Sequence, residues 1–63
     1  MLEVYVERWS APDGKVAYPW SAWDGGRRVT MGEAFDSAEA AEEAARAWCR
    51  EALGREPDRV RRL

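Results

Sequence analysis

The stretch Asp24-Gly25-Gly26-Arg27-Arg28-Val29-Thr30-Met31-Gly32-Glu33-Ala34-Phe35-Asp36-Ser37-Ala38-Glu39-Ala40-Ala41-Glu42-Glu43-Ala44-Ala45-Arg46-Ala47-Trp48 changes its period halfway along. Asp24-Gly25-Gly26 is a hairpin turn signal, because two successive glycines accept the positive φ angles that a tight turn imposes. The next residues, Arg27 to Phe35, read as a strand with Val29, Met31 and Phe35 on one face and Arg28 and Thr30 on the other. Gly32 interrupts that strand in the manner of a bulge. From Ser37 to Leu53 there is no Gly, Pro or β-branched residue, and Ala, Glu and Arg dominate, so the chain favours helix. Asp36 or Ser37 caps it, and Asp36 with Glu39 has the spacing of a capping box. Ala41, Ala44, Ala45, Trp48, Cys49 and Ala52 fall on one apolar stripe. Gly54 is the expected stop, and Pro57 prevents resumption.

Upstream, Leu2 to Trp9 alternates, with Leu2, Val4 and Val6 on one face and Glu3, Tyr5 and Glu7 on the other, as in a half-buried strand. Pro12-Asp13-Gly14 is a turn. A second strand runs from about Lys15 to Trp23, and Pro19, which cannot donate to a ladder, marks a bulge or an edge in it. The predicted fold is α+β: a small three-stranded antiparallel sheet packed on one C-terminal helix (β-β-β-α). The domain spans residues 1–54. A basic tail, 55–63, forms either a short extra strand or an arm. The expected core is Leu2, Val4, Val6, Val16, Tyr18, Val29, Met31, Phe35, Trp48 and Leu53.

Composition excludes several classes of function. At 63 residues, with 46% hydrophobic and 35% charged, the chain has one modest core and no room for a cleft between two domains. The longest uncharged run, Val16 to Trp23, is eight residues, far short of the roughly 20 of a membrane span. Met1-Leu2-Glu3-Val4 lacks the basic-then-apolar pattern of a signal peptide, so the expected location is cytoplasmic. There is no His, and Cys49 is the only Cys, which leaves no Cys/His metal site, no internal disulfide and no activated serine. No catalytic residue and no cofactor is expected, and the chain reads as a non-enzymatic binding module. Asn, Gln and Ile are absent as well, and nine arginines stand against one lysine. That bias fits a GC-rich genome or a thermophile.

Four Trp and two Tyr exceed what so small a core needs. Parity puts Tyr5 and Trp9 on the outer face of the first strand. A bulge at Pro19 would swap the parity of the residues after it, so either Trp20 or Trp23 faces the helix. An open sheet face carrying Tyr5, Trp9 and Trp23 would be an apolar patch with a use. One use is an interface that buries those three residues against a partner or a second copy. The other is a platform for nucleic-acid bases.

The segment from Gly25 to Trp48 resembles the last strand and helix of the plant ethylene-response-factor DNA-binding domain and of the related arm-binding domains of tyrosine recombinases. Ala44-Ala45-Arg46-Ala47-Trp48 matches the helix, and Asp13-Gly14-Lys15 sits where a Gly-Lys turn enters strand two. The likeness covers about three quarters of the chain and rests mainly on packing residues. It implies that the sheet enters the DNA major groove, with Arg8, Lys15, Trp20, Arg27 and Arg28 touching phosphates and bases. The chain departs from the family in having both Glu33 and Ala34 before Phe35, Glu3 and Glu7 on strand one, and a net charge of −2 where phosphate binding favours a basic surplus. Val29-Thr30-Met31-Gly32-Glu33 is also similar to the third strand of HicB-type antitoxins, without the Pro-x-Leu-Pro-Gly segment that precedes it there. That likeness implies a protein-interaction or homodimerising module.

Charge is unevenly spread. Residues 1–35 hold four cations against five carboxylates, 36–54 two against five, and 55–63 four against two. The helix is therefore acidic, while the tail and the second hairpin are the basic places, a polarity that turns an acidic partner toward the sheet.

Overall fold

In the computed structural model, which covers residues 1–63, the amino-terminal alternation becomes strand β1 (Leu2–Val6). Leu2, Val4 and Val6 are buried, and Glu3 and Tyr5 lie on the opposite face. Two short strands, β2 (Trp9–Ser10) and β3 (Val16–Ala17), pair as a separate ribbon. The Asp13 carboxylate steadies its turn by accepting the Lys15 backbone N–H at 3.0 Å. Then come β4 (Trp20–Asp24), β5 (Arg27–Met31), helix α1 (Ala38–Trp48), a π-helical turn (Cys49–Leu53) and β6 (Arg59–Arg62).

The main sheet has the order β5-β4-β1-β6. Here the expectation of a three-stranded antiparallel sheet is corrected: β1 pairs antiparallel with β4 but parallel with β6, and the ribbon is a second sheet. The chemistry of Pro19 explains the ribbon. Glu7 N–H donates to the Pro19 carbonyl at 2.9 Å, yet Pro19 has no N–H to return. The β1–β4 ladder ends there, and the chain turns away into β2. The tail, which the sequence allows as strand or arm, is a strand. The Asp58 carboxylate accepts from Leu2 N–H at 2.8 Å, and Leu63 N–H reaches the Val6 carbonyl at 2.8 Å. These bonds fix both ends of β6 to β1, with Val60 opposite Val4. Because β5 and β6 run the same way, α1 must cross from one sheet edge to the other, and it packs on the two central strands as it does so.

The buried core is Leu2, Val4, Val6, Trp20, Ala22, Ala41, Ala45 and Cys49, with Tyr18, Phe35, Ala38, Trp48 and Val60 packed around it. Small Ala41 and Ala45 let α1 approach the sheet, and Trp20 supplies the volume that they lack. Three expected core residues are on the surface instead: Val29, Met31 and Leu53 are 45%, 55% and 40% exposed. Val16 is half-buried in the ribbon. The cause for β5 is register. Met31 stands opposite Ser21 and Thr30 opposite Ala22, so Thr30, not Met31, faces the helix side. A bulge between Ala22 and Trp23 then leaves Val29 without a partner on β4.

At the helix start Ser37, not Asp36, is the cap, its Oγ accepting the Ala40 N–H at 3.1 Å. At the other end the helix widens into its π turn, and Gly54, at φ 70°, closes it. Trp20 faces the helix and packs against Trp48, ring centroids 6.1 Å apart. Its indole also lies directly on Gly32, where an added Cβ would overlap the ring. Gly32 is thus required by packing rather than by backbone conformation.

Ion pairs join α1 to β6. Glu42 accepts from Arg46 Nε at 3.1 Å and from Arg62 Nε at 3.2 Å, and Arg62 also reaches Glu39 at 3.4 Å. Burial alone would raise the Glu42 carboxyl, but the hydrogen bonds and charges of Arg46 and Arg62 outweigh it and hold the group below its usual range.

This packing can be tested at two residues. Gly32→Ala should cost about 1–3 kcal/mol through overpacking and lower Tm by roughly 5 °C or more in a thermal melt. A melt that matches the parent would show that the Trp20 indole is free to move off Gly32. For Glu42, a depressed folded pKa means stability that is present above the carboxylate range and lost as pH falls through it. Glu42→Gln should therefore cost about 1 kcal/mol at neutral pH and give a flatter decline of Tm on acidification. An acid limb as steep as the parent's would rule out this pairing as its source.

Candidate functional site

The sheet face turned away from α1 is uncovered, and strand register sets out what it carries. One row across the sheet reads Arg28, Trp23, Glu3, Arg59, and the next reads Met31, Ser21, Tyr5, Arg61. Alternation on β1, β4 and β6 sends these residues outward because their neighbours Val4, Ala22 and Val60 are held inward by the helix. At the centre Tyr5 and Trp23 meet edge to face, with centroids 6.3 Å apart and planes at 90°, the arrangement that aromatic quadrupoles favour.

Polar contacts hold the pair in place. Trp23 Nε1 donates to Ser21 Oγ at 2.9 Å, and the Tyr5 hydroxyl donates to Glu3 Oε2 at 3.3 Å. Arg59 lies 3.6 Å from the same Glu3 oxygen. The pair borders a shallow groove of about 420 Å³ whose other walls include Glu7, Gly26 and Leu63. Arg28 and Arg61 flank it, and neither takes part in any of the ion pairs of the fold. This is a preformed aromatic centre with unpaired cations at its margins and two carboxylates in its wall.

Of the residues singled out from the sequence, Tyr5 and Trp23 come together and Trp9 does not join them. Trp9 belongs to the ribbon, 56% exposed, with its Nε1 donating to Glu7 at 3.3 Å. The residues implied by the DNA-binding resemblance are dispersed. Trp20 is buried beneath α1, on the wrong side of the sheet for a ligand on the open face. Arg8, hydrogen-bonded to Ser10, and Lys15 lie with the ribbon beyond the Trp20 end of β4. Arg27 and Arg28 begin β5 at its Asp24 end. Sequence reasoning misses Arg59 and Arg61. The period-two pattern Arg59-Val60-Arg61 is the available signal, but a strand's partner cannot be read from three residues.

A second groove, about 440 Å³, runs beside α1 between Trp20, Phe35 and Trp48. No three His, Cys, Asp or Glu residues are grouped to hold a metal ion. No helix is long and apolar enough to cross a membrane. Comparison with family models, curated proteins and solved structures found no match for this chain.

Cys49 is fully buried on the helix stripe. Burial, helped by the nearby Glu56 carboxylate, pushes its thiol above the usual range, so little thiolate forms at neutral pH. Iodoacetamide should leave the native protein unmodified and label Cys49 only in denaturant. Stoichiometric native labelling would place the thiol at the surface.

Proposed function

We propose that this chain is a non-enzymatic protein-interaction module that docks its partner on the open sheet face around Tyr5 and Trp23. The observation that carries the reading is the Tyr5–Trp23 pair, held edge to face by its own hydrogen bonds on a face that nothing covers. Rigid aromatics lose little conformational entropy on contact, and Tyr, Trp, Met and Arg are the residues in which interfaces are enriched. Met31 and the unpaired Arg28 and Arg61 complete that set. The protein-interaction role implied by the HicB-like segment agrees with this reading.

Nucleic acid is the second reading. Arg28 and Arg61 flank the aromatic pair as phosphate-binding groups flank a stacking platform. Against it, Glu3 and Glu7 line the groove itself, where they would repel a phosphate backbone.

Selection of peptides from a random library on the immobilised chain separates the two. Enriched peptides should bind about 30-fold more weakly to Tyr5→Ala and Trp23→Ala, as expected for hot-spot residues, and equally well to Lys15→Ala, with circular dichroism showing all three variants folded. Labelled single- and double-stranded DNA should not bind at roughly 50 mM salt. DNA binding that fades steeply with salt and is lost in Arg28→Glu/Arg61→Glu would overturn the proposal in favour of the second reading. Peptide binding indifferent to Tyr5 and Trp23 would overturn it outright.

A further inference from the structure

The two edges of the main sheet differ in what they offer another strand. β6 presents Arg59, Arg61 and Arg62 around Val60. An antiparallel copy laid on it, with the two-fold axis at Val60, at Arg61 or between them, would set arginine opposite arginine. Like charges directly opposite are destabilising, and a charged edge is a common guard against pairing.

The β5 edge is self-complementary instead. Gly32 N–H donates to the Trp20 carbonyl at 2.9 Å, so alternation directs the backbone groups of Met31 away from β4. Val29, the extra residue of the bulge, has no partner on β4. The two residues flank Thr30 and are the exposed apolar side chains of this strand, 45% and 55% accessible. A second copy placed antiparallel on a two-fold axis through Thr30 would bring Val29 opposite Met31 of that copy, and Met31 opposite its Val29. Thr30 would face its own equivalent. Two positions further out, beyond Arg28 opposite Gly32, Arg27 would meet Glu33 of the second copy at both ends of the contact. Arg27 and Glu33 are exposed, and neither has an ion-pair partner within its own chain.

We infer that the chain forms a symmetric dimer through antiparallel pairing of β5 with β5 of a second copy, apolar residues matched at the centre and Arg27 matched with Glu33 at each end. Two four-stranded sheets then become one continuous sheet. Because the two-fold axis stands perpendicular to that sheet, both Tyr5–Trp23 grooves open on the same side. The contact takes up Met31 at the β5 margin of that face but leaves the central Tyr5–Trp23 pair uncovered, so it goes beyond the docking role above and does not depend on it.

Sedimentation equilibrium of the full chain should give twice the 7.2 kDa chain mass. Arg27→Glu and Glu33→Arg, each alone, should raise the dimer dissociation constant about tenfold, since each turns two matched pairs into two repulsive ones. The double variant Arg27→Glu/Glu33→Arg should restore the parent value. An equimolar mixture of the two single variants should associate with each other more tightly than either does with itself, an outcome that general destabilisation cannot produce. Tyr5→Ala should leave the dimer intact, which keeps this test separate from that of the docking face. A chain that stays monomeric to about 1 mM would overturn the inference. So would a dimer that ignores the charge swaps, or one that is lost in Tyr5→Ala.

Discussion

Strand β1 is the element on which the rest of this structure depends. It joins the antiparallel part of the sheet to the parallel part, pairing with β4 on one side and β6 on the other, and its three inward residues, Leu2, Val4 and Val6, are buried. A domain of this size buries few residues, and nearly all of those lie on β1, on β4 or on the part of α1 above them. Within β1 the same five residues thus carry ladder hydrogen bonds on both edges and three side chains of the core. Pairing on both sides also orients Glu3 and Tyr5, so the same strand that organises the core supplies half of the aromatic site.

The crossing of α1 links those two roles. To carry the chain from β5 to β6 the helix must pass over β1 and β4, and it can lie close because its fully buried residues, Ala41 and Ala45, are small. The small residues at that contact leave volume between helix and sheet, so Trp20, packed against Trp48, fills it, and Gly32 must lack a side chain beneath the indole. One helix covers one face only. The opposite face keeps Tyr5 and Trp23 uncovered, and their polar atoms find partners within the sheet rather than in a second layer. The ion pairs from Arg62 to Glu39 and Glu42 then tie the last strand to the helix that precedes it.

Electrostatics follows the same geometry. The acidic surplus of the sequence is gathered on α1, where Arg46 and Arg62 neutralise part of it, while Arg28, Arg59 and Arg61 lie on the aromatic face. The molecule is thus polar from one side of the sheet to the other despite a net charge of only −2. Such a distribution favours orientation of a partner over bulk attraction to a polyanion.

Local pattern determined a good deal of this protein by itself. The period-two run at Leu2–Val6, the Gly25-Gly26 hairpin, the Ala-rich helix and its Gly54 stop are each dictated within a few residues, because propensity, turn chemistry and amphipathic period act locally. So were the absence of Cys/His metal chemistry and the surplus of aromatics. Parity along β4 limited the helix-facing Trp to Trp20 or Trp23, but only packing against Trp48 and Gly32 decided it. Register decided more: one bulge in the β4–β5 pair turned Met31 outward and left Val29 at the edge, and no single strand contains the information that sets its partner's offset. The tail shows the limit most clearly. Arg59-Val60-Arg61-Arg62 pairs with a strand more than fifty residues earlier in the chain. That parallel pairing exists only because α1 first carries the chain across the sheet, so tertiary structure alone could bring Arg59 and Arg61 to the aromatic face.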